Sequence, residues 1–292
     1  MNWLIQEYRT TPRWLGNKPA TRKTQFLEQE RFRARHGDKM IADLRPHHVE
    51  RLMAEKHHEP AAANSILKLI KKLSRYAVKR GIIHADPTVS VERFPVNKDG
   101  FHTWTASEVQ QYEAFHGVQS KAVLALRLFL YTGGSRADVV KMGWQTVRDN
   151  RIRYRRKKTQ IDVDLPIKAP LREVLTNADT DCPLFITHNK GRPYTVESFG
   201  NWFKQQCKAA GLHHCASHGI RKHSASFMAE RDTTESQMAA YLGHTNNNEA
   251  QTYFKKARRS KLGDGAMKAF DLDNPTSGLS KNESKVLKLK DN

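Results

Sequence analysis

Four side chains in the second half of the chain have types and spacings that suit chemistry on a phosphodiester. His218 and Arg221 are three residues apart, which places both on one side of a helix. Leu242-Gly243-His244 follows, and Tyr253 stands nine residues after His244. A phenol can attack phosphorus, a guanidinium can hold two phosphate oxygens, and an imidazole can donate a hydrogen bond or move a proton. Each residue alone is ordinary, because a histidine beside an arginine is commonly a surface pair and a tyrosine after a loop commonly packs in a core.

The charge of the whole chain favours a polyanionic partner. Its 292 residues carry 50 Lys and Arg against 30 Asp and Glu, a formal net charge of +20. Nucleic acid is the commonest partner of so basic a chain, through Coulomb attraction and counterion release; a basic protein that merely stays soluble is the alternative. Three unevenly placed cysteines predict no disulfide framework. No apolar stretch approaches the roughly 18–20 residues that span a bilayer, so we expect a cytoplasmic protein without a membrane partner.

Helices and a hairpin are predicted to position the four side chains. Helical patterns occur at 120–131, 195–210, 218–230 and 234–242, and the last begins with capping-box spacing and ends at Gly243. Apolar and polar residues alternate over 151–155 and again over 161–167. The two stretches predict a β-hairpin whose turn contains Lys157 and Lys158.

An earlier segment, residues 61–80, predicts a helix that is apolar on one side and basic on the other. Apolar residues recur there with helical spacing, and Gly81 stands at the expected end. The opposite side carries Lys68, Lys71, Lys72, Arg75 and Lys79. Solvated faces normally interleave Glu with Lys, but this segment contains no acidic residue. We therefore predict contact with a phosphate backbone, with a solvated face as the alternative.

The chain divides into four stretches by composition. Residues 1–95 are predicted to form a helical domain, 96–103 a turn-rich linker, 104–270 a second domain, and 271–292 a flexible basic tail. The expected fold class is mainly α with a small antiparallel β-hairpin or sheet.

Taken together, the motifs resemble those of the tyrosine recombinase, or phage integrase, family. The family pattern is H-x-x-R, then L-G-H, then a tyrosine nine residues past that histidine, which here are His218, Arg221, Leu242-Gly243-His244 and Tyr253. The resemblance implies that residues 1–95 are a SAM-like core-binding domain and 104–270 the catalytic domain. It also implies a site-specific recombinase that cuts and rejoins double-stranded DNA without a cofactor or metal.

The resemblance supplies roles for individual residues. Tyr253 would attack the scissile phosphate and form a 3′-phosphotyrosyl link, and Arg221 would clamp the phosphate. His218 and His244 would donate hydrogen bonds to the phosphate oxygens, with His218 a candidate acid or base for the tyrosine proton. The family's hairpin lysine protonates the leaving 5′-oxygen, and Lys158 fits that position.

Lys157 is the nearest competitor for the acid's role and is otherwise expected to contact DNA. Contact with the DNA backbone is the alternative interpretation for both hairpin lysines. The resemblance further implies a homotetramer on DNA, and accessory DNA-bending proteins are compatible with it.

One departure from the family pattern concerns its first arginine. The family reads T-G-x-R-x-x-[E/D], whereas this chain reads Thr132-Gly133-Gly134-Ser135-Arg136-Ala137-Asp138 and has Ser135 in the arginine position. Either the backbone shifts so that Arg136 reaches the phosphate, or the first clamp is absent. An impaired, integrase-like DNA-binding protein is therefore the alternative function.

Two metal-dependent interpretations fit the sequence less well. Histidines and cysteines crowd one stretch, namely Cys207, His213, His214, Cys215, His218 and His223. No C-x₂-C pair is present, so we predict no zinc site there. A transposase with three carboxylates would leave the tyrosine pattern unexplained.

Overall fold

The computed structural model describes residues 1–96, 100–178, 181–188, 191–231, 233–245, 250–255 and 262–263. Contacts divide the chain into two compact units, Met1–Lys98 and Asp99–Asn292. Residues 97–99 of the predicted linker 96–103 are outside the described residues. The whole of the predicted tail 271–292 is outside them too. No described helix has both the length and the apolar character needed to cross a membrane.

The first unit consists of helices. They are α1 (Asn2–Thr10), α2 (Pro12–Leu15), α3 (Pro19–His36), α4 (Pro46–Ala54) and α5 (Pro60–Lys79), with a 3₁₀ turn at Ile41–Asp43. Proline begins α2, α3, α4 and α5, where its fixed φ suits a first helical residue and its missing N–H costs no hydrogen bond. The apolar side of α5 packs against α1 and α4 in one core.

Helix α5 follows its sequence prediction within one residue at each end. Gly81 has a φ of +68°, and the amide of Ile82 donates to the Ala77 carbonyl at 2.9 Å, which closes the helix. The basic side is less uniform than predicted. Lys68, Arg75 and Lys79 are exposed, whereas Lys71 and Lys72 are half-buried.

The second unit is helical around a small antiparallel sheet. Its helices are α6 (Ala106–His116), α7 (Lys121–Thr132), α8 (Arg136–Val139), α9 (Ala169–Leu175), α10 (Val196–Ala209), α11 (Ser217–Ala229) and α12 (Glu235–Leu242), with a 3₁₀ turn at Trp144–Thr146. Residues 250–255 are also helical. The sheet has the order β1 (Val147–Arg148), β2 (Arg151–Arg155), β3 (Asp162–Pro166).

Helix α7 lies at the centre of this unit. Its nearly continuous apolar sequence is buried from Ala122 to Phe129, and Phe129 packs against Phe199 and Phe203 of α10. Arg127 is buried within this run because Glu113 and Glu173 both pair with its guanidinium. The helix ends at Gly133, whose φ of +62° turns the chain into the segment that borders the candidate site.

The fold-class prediction is confirmed, because the chain is mainly helical with one small antiparallel sheet. The hairpin, and helices α10, α11 and α12, lie within a residue or two of their predicted bounds. Strand β1 was not predicted, since a two-residue strand is too short to show alternation.

Candidate active site

Helix ends bring the predicted motifs together. His218 and Arg221 lie in the first turns of α11, and α12 ends at Gly243 in the left-handed conformation, with a φ of +58°. The amide of His244 donates to the Ala239 carbonyl at 2.9 Å, which fixes His244 just past that end. The start of α11 and the end of α12 therefore bring Arg221 and His244 together, although the two residues are distant in sequence.

Arg221 is held by the backbone and by His244. Its Nη1 donates to the Gly133 carbonyl, and its Nη2 donates to the Leu242 carbonyl at 2.7 Å and to His244 Nε2 at 2.9 Å. A guanidinium has no acceptor, so His244 Nε2 accepts in this arrangement. Burial, followed by the nearby charge of Arg156, lowers the pKa of Arg221 to about 10.

A second guanidinium, that of Arg156, lies beside the first. Arg156 follows β2, is 4% exposed, and donates from Nη1 to the same Gly133 carbonyl at 3.0 Å. Its Nε lies 3.5 Å from Asp138 Oδ2 without a hydrogen bond, and finds no other partner among the described residues. Gly243 leaves room for this side chain, since a Cβ there would lie 2.6 Å from both Cγ and Cδ of Arg156.

Ser135 occupies a structural position instead of a clamp position. It is the N-cap of α8, and its hydroxyl and amide donate to Asp138 Oδ2 at 2.6 and 2.9 Å. Asp138 Oδ1 in turn accepts from the Lys157 amide at 2.9 Å. The capping box therefore joins the turn after α7 to the hairpin that carries Arg156.

Arg136 is exposed, unlike Arg156, and its side chain lies in a different place. Its guanidinium and side-chain stem lie against Gly200 of α10, a contact that any larger residue at position 200 would disrupt. Its charge still reaches His218, whose pKa is lowered first by partial burial and then by Arg221, Lys222, Arg136 and Lys158. Arg136 therefore lies at the rim of the site, on the α10 side.

These groups border one open cleft of about 770 Å³. The cations among its lining residues are Arg136, Arg156, Lys158, Lys204 and Arg221, and His218 and His244 line it too. None of the described lining residues is acidic. Lys157 does not line this cleft but a smaller recess on the other side of the hairpin, beside Lys141 and Tyr154. The structure thus separates the two candidate lysines.

Tyr253 lies in the helical residues 250–255 and is half-buried. It packs at the edge of a small core formed by α11, α12 and Phe254. The negative charge of an ionised Tyr253 would raise the pKa of Arg221. Tyr253 is not among the residues that line the cleft.

On α5, the predicted DNA-contacting side chains have unequal surroundings. Lys72 donates to Gln25 Oε1 at 3.0 Å and lies 6.0 Å from the centre of the Tyr8 ring. Arg75 is exposed but lies 3.7 Å from Asp86, an acidic partner outside the helix. Lys68 and Lys79 are exposed, and Lys71 is half-buried.

Arg156 is the site residue that sequence reasoning did not single out. A signal for it was present: the run Arg155-Arg156-Lys157-Lys158 leads into the hairpin turn in a chain whose first arginine position holds Ser135. Of the four cations in this run, Arg156 and Lys158 line the cleft, whereas Arg155 and Lys157 do not.

The sequence model of the phage integrase family matches residues 106–259. No curated protein sequence matches the chain significantly.

Two solved structures share its fold. A lambda integrase dimer bound to a COC′ core site has a TM-score of 0.74 at 18% identity, over 87% of this chain and 95% of that one. The Tn1549 transposon integrase in complex with transposon right end DNA has a TM-score of 0.71 at 15% identity, over 90% and 99%.

Proposed function

The chain belongs to the phage integrase family, and we propose that it is a site-specific DNA recombinase whose Tyr253 forms a 3′-phosphotyrosyl intermediate. The proposed substrate is double-stranded DNA, and the proposed reaction uses no cofactor. The solved lambda integrase structures include a tetramer bound to a Holliday junction, with a TM-score of 0.74 at 18% identity. We extend that assembly to this chain and propose a homotetramer on two DNA sites, in the cytoplasm, with room for accessory DNA-bending proteins.

The observation that carries this proposal is the pair of guanidiniums on one carbonyl. Arg156 is buried and Arg221 half-buried, both donate to Gly133 O, and both line a cleft whose described lining has no acidic residue. Asp138, 3.5 Å from Arg156 Nε, supplies one negative charge beside these two largely desolvated guanidiniums, so one positive charge still favours an anion in the cleft. A phosphodiester supplies that anion, and its non-bridging oxygens match the planar forks of arginine.

We assign the role of the first phosphate clamp to Arg156, because Ser135 occupies the position of the family's first arginine. Its burial and its hydrogen bond to Gly133 O hold the guanidinium beside Arg221 before DNA arrives. The Ser135–Asp138 capping box and the Lys157 amide fix the two backbone segments on either side. Arg136, exposed and directed along α10, is then a rim residue that contacts DNA more loosely.

The proposed reaction assigns one step to each of these groups. The Tyr253 oxygen bonds to phosphorus as the bond from phosphorus to the 5′-oxygen breaks. The phenolic proton passes to His218, which the lowered pKa keeps neutral near pH 7, and the 5′-oxygen takes a proton from Lys158. Arg156, Arg221 and His244 hold the non-bridging oxygens. Rejoining reverses these steps, so the phosphodiester energy is conserved and no nucleotide triphosphate is consumed.

A DNA-binding protein that does not cut is the second candidate, and Ser135 is the observation in its favour. The two candidates differ in one product, the covalent adduct. A site made of three carboxylates and metal ions is a weaker candidate, since acidic side chains are missing from the described lining of the cleft.

A pool of nicked duplexes with randomised sequence tests the proposal for any target. The sequence on both sides of the nick varies, and the short fragment released by cleavage diffuses away, so the adduct accumulates. We expect the protein to become covalently attached to a selected sequence without added divalent metal, and Tyr253→Phe to abolish this. Tyr194→Phe, a half-buried tyrosine away from the cleft lining, is the matched control. Selective binding without any adduct would support the non-cutting candidate instead.

A further inference from the structure

Four potential metal ligands meet at one edge of the cleft. They are His102, Glu108, His214 and Cys215, and their ligand atoms all lie within 4.8 Å of one another. His102 Nε2 is 2.9 Å from both carboxylate oxygens of Glu108, and His214 Nε2 is 2.5 Å from one of them. The two imidazole rings are edge to face, with centres 4.5 Å apart. Only His214 among the four also lines the cleft.

The backbone on either side of these ligands is already fixed. Lys204 Nζ donates to the carbonyls of His213 and Cys215, each at 2.7 Å, which holds the turn before α11. The indole of Trp104 donates to the Ala216 carbonyl at 3.0 Å, which joins the segment after His102 to the same turn. Glu108 is further positioned by accepting from the Thr105 amide at 2.7 Å. The cluster therefore needs little rearrangement to accept a ligand.

The donor set matches one class of ion. Two imidazole nitrogens, a carboxylate oxygen and a thiolate are the mixture that zinc binds in tetrahedral sites, with bonds of about 2.0–2.3 Å. Magnesium and calcium prefer all-oxygen sites. The carboxylate and thiolate together would balance a divalent charge. Of the histidines and cysteines crowded between positions 207 and 223, only His214 and Cys215 take part; Cys207 is buried in the core.

We propose that His102, Glu108, His214 and Cys215 form a structural site for a zinc-class divalent ion. The ion would clamp the segment before α6 to the turn before α11, three residues from His218. His218 also packs against Phe101, with ring centres 5.0 Å apart. Because His102 follows Phe101 and Cys215 lies three residues before His218, the ion would hold the backbone on both sides of this ring contact. The site is outside the reacting groups, and its role is to hold the start of the helix that carries His218 and Arg221.

The same four groups can also form a network without metal. Each imidazole then donates from Nε2 to Glu108, and the Cys215 thiol hydrogen-bonds to the same carboxylate. Such a network would bind no ion at stoichiometric level. A measurement of the metal content of the full chain, without DNA, therefore distinguishes the two arrangements.

Cobalt(II) added to the metal-stripped full chain is the probe. We expect one ion per chain, visible bands of tetrahedral geometry, and a sulfur-to-cobalt charge-transfer band. Cys215→Ser should remove the charge-transfer band, whereas Cys182→Ser, a cysteine outside the cluster, should keep it. Zinc should displace cobalt with loss of all bands.

His214→Ala and its neighbour His213→Ala are the matched pair for stoichiometry. Both residues are exposed, but only His214 faces Glu108. Binding should be lost in the first and retained in the second. No stoichiometric cobalt in the unaltered chain, or equal binding by both variants, would overturn the site. Neither result bears on Tyr253, because the adduct assay is separate.

Discussion

The two units use basic side chains in opposite ways. On α5 the outward cations Lys68 and Lys79 are exposed and carry long, mobile side chains. In the second unit Arg156 is buried, Arg221 is half-buried, and the two share the Gly133 carbonyl. Exposed lysines gain affinity for DNA mainly by releasing counterions, which requires no fixed geometry. The two arginines have lost much of their hydration and freedom on folding, so they stabilise charge at one point in space.

The difference predicts which variants change cleavage and which change binding. Removal of a fixed, desolvated cation should slow the covalent step and leave affinity comparatively intact. Removal of an exposed cation should weaken binding in a salt-dependent way and leave the covalent step intact at saturating DNA. Each experiment below either breaks this division or sharpens it.

The largest effect is expected from Arg156→Ala. Loss of a guanidinium that stabilises a phosphoryl transition state costs about 10³–10⁵ in rate, and the single-turnover rate of adduct formation measures it. Arg156→Lys should recover little, because an ammonium lacks the planar fork. Arg155→Ala, an exposed neighbour 3.8 Å from Asp162, is the control and should cleave nearly as fast as the unaltered protein.

A rescue experiment asks whether Arg156 replaces the missing family arginine. Adding Ser135→Arg to Arg156→Ala should restore part of the rate, since it returns a guanidinium to the family's usual position. A large loss in Arg136→Ala together with a small one in Arg156→Ala would show instead that Arg136 is the clamp. Small losses in both would mean that Arg221 suffices.

Lys158 should follow, with a loss of about 10²–10⁴ in Lys158→Ala, the usual size of a general-acid contribution. Sulfur in place of the leaving 5′-oxygen needs no proton, so such a substrate should restore the rate of this variant. Lys157→Ala serves as the control, because Lys157 lies in the recess on the other side of the hairpin. Equal losses in both variants, unrelieved by sulfur, would refute the acid's assignment.

Local rules explain how much of the second unit could be predicted. The capping box of Thr234 and Gln237, the left-handed Gly243 and the alternation in β2 and β3 each depend on a few neighbouring residues, and the structure has them where predicted. The H-x-x-R and L-G-H motifs are short enough to be recognised from spacing alone.

Contacts distant in sequence were not predictable in the same way. Arg156 meets Arg221 only because the turn after α7 presents the Gly133 carbonyl to both, and no periodicity encodes that meeting. Glu108 and His214 are 106 residues apart and meet only once the first turn of α6 reaches the turn before α11. The uneven exposure of α5 likewise depends on α3, whose Gln25 binds Lys72.

The α5 cations should change the salt dependence of binding. Lys68→Ala and Lys79→Ala, if each lysine neutralises one phosphate, should each reduce the slope of log affinity against log salt by about 0.9. Anisotropy with the selected duplex across a salt series measures this, and the adduct rate at saturating DNA should stay unchanged. A slower covalent step with an unaltered slope would contradict the division between the units.

The smallest effect should come from removing the hydrogen bond that holds Lys72. This residue lies on the basic side of α5, but its side chain is held in place like those of Arg156 and Arg221. Its Nζ donates to Gln25 Oε1 at 3.0 Å, and both side chains are half-buried. Gln25→Ala should therefore lower the opening free energy of α5 by about 0.5–1.5 kcal/mol, the usual worth of one hydrogen bond. Hydrogen exchange in peptides from α5 measures this directly. Lys68→Ala, at an exposed position on the same helix, should change it by less than about 0.5 kcal/mol. A change in the salt slope of Lys72→Ala as large as that of Lys68→Ala would instead place Lys72 among the cations that bind DNA.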